Sequence, residues 1–207
     1  IIVTGLGLAM LFRGLGMDAL AALSLSAALY HCINHAQFKS LLFLATGSVL
    51  HATGQRNLGK LGGLIHRMPW VAWLALAGTL AMAGLPPLNG FVSEWLLLQS
   101  YLFTPTLPHS LANLLVPLGA AVFALTFALA AYVLVKFYGV IFLGRAREES
   151  LSKAHDAGWL ERAGLAWLAA LCVALGLFPV LVLRALDGVN QQLLGATLGD
   201  RATSWWS

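Results

Sequence analysis

The 207-residue chain is 59% hydrophobic and only 10% charged, with a formal net charge of +4. So little charge excludes an ordinary soluble domain and points to an all-α, polytopic transmembrane helix bundle that contacts the lipid bilayer. The basic residues are scattered rather than clustered, which argues against a nucleic-acid partner.

In chain order, residues 1–12 read as the end of a membrane helix, and Arg13 to Asp18 as a short turn. The chain opens on Ile1 inside an apolar segment, so a piece of a longer protein is expected. Ala19 to about His51 is one long apolar stretch. It holds His31, His35 and Lys39, spaced four residues apart. On a helix such positions stack into a column about 12 Å tall. A lysine at the centre of a membrane helix costs roughly 2.5–3.5 kcal/mol on insertion scales, so the column is expected to move a charge, the proton first.

Ala52 to Arg67 is a polar, glycine-rich loop. Met68 to Gly84 is a further span with Trp70 and Trp73 as interfacial anchors. Gly84-Leu85-Pro86-Pro87-Leu88-Asn89-Gly90 then packs helix breakers into apolar sequence. In a continuous helix Pro86 and Pro87 would strip the carbonyls of Met82 and Ala83 of their partners. Backbone of this kind survives at membrane depth only when buried in protein or beside a wet cavity. Glu94 follows closely, and the span stops near Thr104 to Pro108. Leu111 to about Gly144 is longer than a crossing requires, as in a tilted helix. Arg145 to Arg162 is the one clearly charged loop. Ala163 to about Leu186 reads as a last span, kinked at Gly176 and Pro179, and the tail with Trp205 and Trp206 as interfacial. By this count the 13–18 turn and the 145–162 loop share one side of the membrane, opposite Arg56, Lys60 and Arg67.

Five ionisable side chains lie well inside apolar segments: His31, His35, Lys39, Glu94 and Lys136. Apolar surroundings penalise the charged form of lysine and glutamate alike, so each can take up and release a proton. Histidine already exchanges one near neutral pH. A lysine and a glutamate on neighbouring helices, with histidines beside them, would make a proton relay, with Lys39 and Glu94 on a common polar axis. Lys136 lies near its helix end and could instead snorkel to the interface. Asn34 and Ser40 could bind water beside the column or join helices. Haem is not expected, because its two histidines would come from facing helices. No metal is expected either, since no carboxylate or cysteine accompanies the histidine pair. Cys32 and Cys172 read as small buried hydrophobes.

Three motifs carry a resemblance: Leu29 to Leu44, with its two histidines and lysine; Arg56 to Leu64 followed by Met68-Pro69; and Gly84 to Trp95. Together they resemble the antiporter-like proton-translocating membrane subunits of respiratory complex I and the group 4 hydrogenases. Pro86 to Phe91 with Glu94, Trp95 and Gln99 is most similar to the hydrogenase-4 and formate hydrogenlyase branch.

That resemblance implies two inverted repeats, each with one discontinuous helix, of which this chain matches the second. Residues 1–144 would be that repeat, 145–162 a charged loop, and 163–207 the last transmembrane helix with its tail. Pro86, Pro87 and Gly90 would form the discontinuity. The resemblance further implies proton translocation driven by redox energy from a peripheral hydrogenase or dehydrogenase arm. The partners would be that arm and other membrane-arm subunits, in the cell inner membrane. With no cysteine cluster and no nucleotide-binding glycine motif, the chain itself is expected to hold no cofactor and to do no redox chemistry. The alternatives are a subunit of a sodium/proton antiporter and a static membrane scaffold.

Overall fold

The computed structural model describes residues 1–198, and these form seven α-helices. Helix α1 (Ile2–Gly14) turns at 15–17 and runs back along α2 (Asp18–Thr53). Residues 21–28 of α2 are buried on every side and are mostly alanine and serine. Small side chains let neighbouring backbones approach closely. Gly5 of α1 sits so near Ala28 that an added Cβ would lie 2.9 Å from the alanine methyl. At 36 residues, α2 is about 54 Å long, well beyond a hydrocarbon core of about 30 Å. It ends at Gly54, whose φ of 65° gives a left-handed cap.

Helices α3 (Pro69–Met82) and α4 (Asn89–Leu102) have 14 residues each, about 21 Å, and only together do they cross a membrane. Pro69 opens α3, where its missing N–H costs nothing. The next two amides are capped from far along the chain: Trp70 N and Val71 N donate to the Asp156 carboxylate at 2.9 and 3.4 Å. The far end of α3 closes on itself, with Ala83 N bonded to the Thr79 carbonyl at 2.9 Å and Leu85 N to that of Leu80 at 3.1 Å. The discontinuity expected over Gly84 to Gly90 is therefore present at residues 84–88, with Pro86 and Pro87 in it and Gly90 already in the first turn of α4. Gly90 is required where it stands, because a side chain there would collide with the Ala81 carbonyl.

Helix α5 (Ser110–Phe142) packs on the outside of α3 and α4, and most of its surface faces away from the bundle. Helix α6 (Trp159–Leu177) and α7 (Pro179–Leu194) replace the single kinked span expected from about 163 to 186. Phe178, at φ −119° and ψ 49°, leaves helical geometry altogether, so Pro179 starts a new helix instead of bending the old one. Among the described residues the bundle thus has two breaks, one between α3 and α4 and one between α6 and α7. The tail carrying Trp205 and Trp206 lies outside the described residues.

The count of crossings corrects the expected sidedness. Because α3 and α4 make one crossing, the 145–162 loop returns to the side of the 54–67 loop. Lys60 pairs with Glu148 at 3.0 Å, Gly63 N donates to the Leu143 carbonyl at 2.9 Å, and Arg147 reaches the Leu58 carbonyl at 3.2 Å. Arg56, Lys60, Arg67, Arg145, Arg147, Lys153 and Arg162 accordingly share one face, while the turn at Arg13 and Asp18 lies on the other. Lys and Arg are thus concentrated on the face of the 54–67 loop.

Two apolar cores stabilise the bundle. One joins Phe38 to Val49 of α2 with α3, the end of α5, α6 and the 151–157 loop. The other joins α1, the first half of α2 through Tyr30, Val92 to Leu97 of α4, and Leu183 of α7. Between them, at the level of both breaks, lies a belt of buried polar residues: His31, Asn34, Asn89, Ser93 and Glu94.

Candidate functional site: a polar belt at the first break

The belt is built by α2 and the start of α4. His31 Nδ1 lies 2.9 Å from Ser93 Oγ, which in turn donates to the Gly90 carbonyl at 3.1 Å. Asn34, about one turn further along α2, donates through Nδ2 to the Asn89 carbonyl at 2.8 Å and to Ser93 Oγ at 3.1 Å. Asn34 Oδ1 and both amide atoms of Asn89 are buried with no hydrogen-bond partner among the described residues. A cluster of neutral polar groups with spare hydrogen-bonding capacity is a place where water can be held.

Glu94 is buried, at 8% exposure, and forms no ion pair or hydrogen bond among the described residues. Its carboxylate lies directly against Gly84, which has φ +67° in the break. A side chain at Gly84 would occupy the carboxylate's place, so the break and the glutamate are one structural unit. No Arg or Lys among the described residues pairs with the Glu94 carboxylate.

The column on α2 is not uniform. His31 is buried, His35 is exposed and Lys39 is half-buried. The physical reason is helical drift: four residues advance about 400°, so each step turns the face by about 40°. From His31 to Lys39 the face swings away from α4 toward α3 and α5. The two histidine rings have centroids 6.1 Å apart, and Phe38 lies edge-on to both, at 5.9 and 5.4 Å. Lys39 Nζ is 5.8 Å from the Phe43 ring centroid. It lines a cavity of about 260 Å³ with Met82 of α3 and Val133, Leu134 and Phe137 of α5. Met82 stands two residues before Gly84, so this cavity opens beside the break on which Glu94 rests.

Lys136 is exposed on the outer face of α5, apart from the polar belt. Ser40 is also exposed, as is Cys32, against the expectation that both cysteines are buried; Cys172 is buried. Asn89 and Ser93 are ordinary polar residues by type and lie outside the set expected from sequence. Their signal is position: Asn89 and Ser93 flank Gly90 and Glu94 at the first turn after the Pro86-Pro87 pair.

Residues 7–115 match the transmembrane family described as NADH:quinone oxidoreductase/Mrp antiporter. The chain belongs to this family. It is 44% identical over 173 residues to formate hydrogenlyase subunit 3 of Escherichia coli, covering 84% of this chain and 28% of the relative. It is 37% identical over 177 residues to hydrogenase-4 component B of the same organism, covering 86% of this chain and 26% of the relative. Among solved structures, a chain of the membrane-bound sulfane sulfur reductase, an archaeal respiratory membrane complex, matches 89% of this chain and 32% of its own length. That match has a TM-score of 0.69 at 29% identity. The chain thus spans about 28% of the first of these relatives. The family is one of membrane proteins.

Proposed function

We propose that this chain is the part of an antiporter-like membrane subunit that passes protons through the second half of the bilayer path. It works within a redox-driven complex of the hydrogenase and complex I type. The observation that carries the reading is Glu94: a buried carboxyl with no counter-ion among the described residues, resting on the glycine of a broken helix at the boundary between two apolar cores. His31, held by Ser93 on the adjacent turn of α4, is the neighbouring exchangeable group. Lys39, beside the Met82 end of the break, is the group toward which Glu94 would pass its proton, and His35 lies between His31 and Lys39 on α2. Hydrated amides at Asn34 and Asn89 would bridge the gaps, while Lys136 would serve at the outer edge. Residues 1–144 act as the second repeat in this reading, and 163–207 close it.

The partners are other membrane-arm subunits and a peripheral hydrogenase or dehydrogenase arm, and the location is the cell inner membrane. Sodium in place of protons is the second reading, favoured by the free amide oxygens of Asn34 and Asn89 beside Ser93. The test is Glu94→Gln in the full-length protein within its complex, read as ions moved per electron transferred in sealed vesicles. The ratio should collapse while the complex stays assembled. A wild-type ratio would remove Glu94 from the path, and dependence of the ratio on sodium would install the second reading.

A further inference from the structure

The second break, between α6 and α7, holds no ionisable side chain, yet it is joined to the first. Pro179 has no N–H, so the carbonyl of Leu175 loses the donor that a continuous helix would supply. The hydroxyl of the fully buried Tyr30, next to His31 on α2, donates to that carbonyl instead. Immediately beside it, Gly176 rests on the backbone of the first break. A Cβ there would strike the Pro87 carbonyl and lie 2.8 Å from Leu88 C and 2.9 Å from Asn89 N. The two breaks are in backbone contact, with no side chain between them. A cavity of about 420 Å³, lined by Pro86, Pro87, Phe91, Gly176, Leu177 and Pro179, borders that contact and leaves room for it to shift.

Tyr30 and Asn34 stand four residues apart on α2 and grip the two breaks separately, Tyr30 through Leu175 and Asn34 through Asn89. His31 lies between them. We propose that Tyr30 is a positioning residue for ion transfer, and that the α6/α7 break belongs to the translocating site as the support that sets residues 87–89. Moving that support moves the start of α4, and with it Ser93 and Glu94. This inference rests on the function proposed above.

The experiment uses the full-length protein in its assembled complex and reads ions moved per electron. Tyr30→Phe removes one oxygen and should lower the ratio about fivefold, the equivalent of one lost hydrogen bond, with electron transfer retained. Pro179→Ala added to Tyr30→Phe gives the Leu175 carbonyl an amide donor. This double variant should recover thermal stability and keep the low ratio, because α2 still does not hold the second break. It is the deciding variant if Tyr30→Phe alone fails to assemble. Recovery of both stability and ratio would make Tyr30 a structural residue and overturn the inference. Glu94→Gln is run alongside. A collapsed ratio there with a wild-type ratio in Tyr30→Phe overturns this inference alone, whereas a wild-type ratio in Glu94→Gln overturns the underlying reading.

Discussion

The two ends of the histidine–lysine column behave differently. At His31, α2 faces α4: the ring is buried, its Nδ1 has a hydroxyl partner, and Asn34 ties the same turn to the break. At Lys39, α2 has rotated away: the side chain is half-buried, lines an apolar cavity with α3 and α5, and forms no ion pair among the described residues. The same four-residue spacing thus produces a fixed, hydrogen-bonded end and a free end. A relay needs both. A group locked in a strong pair cannot release its proton on demand, and a group with no fixed neighbour cannot aim it.

That contrast can be broken at several points. The largest effect is expected at the free end. Lys39→Ala in the full-length protein should cut translocation per electron roughly tenfold or more while the complex assembles. Lys39→Arg should not rescue it, because a guanidinium keeps its proton near neutral pH. A wild-type ratio in assembled Lys39→Ala would make the lysine structural. At the fixed end, Ser93→Ala leaves His31 without its partner and should reduce the ratio about threefold to fivefold. If Ser93→Ala were as damaging as Lys39→Ala, the division into fixed and free ends would be wrong.

Smaller effects are expected outside the column. Asp156→Ala removes the remote cap of α3 and should cost about 1–2 kcal/mol of stability, seen as a lower unfolding temperature in detergent, with the ratio barely changed. Lys136→Ala should change the ratio by less than about twofold, since an exposed lysine near a helix end can reach the interface. A ratio identical to wild type would remove Lys136 from the outer edge of the path, and a large loss would move it onto the main route.

Much of this was legible in the sequence because its causes are local. Pro86 and Pro87 forbid a continuous helix wherever they fall, and Gly84 and Gly90 add further helix breakers. The apolar runs mark the helices, and a glutamate beside such breakers marks a polar site. What was not legible depends on the third dimension. Treating 68–84 and 84–103 as separate spans put the charged loops on opposite faces, and only the Lys60–Glu148 pair and its neighbours reveal that the two halves make one crossing. The spacing of His31, His35 and Lys39 announces a shared helix. Their different burial follows from which helices pack around α2. Tyr30 looks like an ordinary core aromatic until the carbonyl freed by Pro179 is found beside its hydroxyl.

The central claim is that the Glu94 carboxyl exchanges a proton during turnover. Infrared difference spectroscopy of the full-length protein in its complex, recorded on cycling the redox centres, tests this most directly. The account predicts a carboxyl C=O band that appears or shifts with the redox state, moves in D2O, and is lost in Glu94→Gln. A difference spectrum with no such band, or one that survives unchanged in Glu94→Gln, would contradict it.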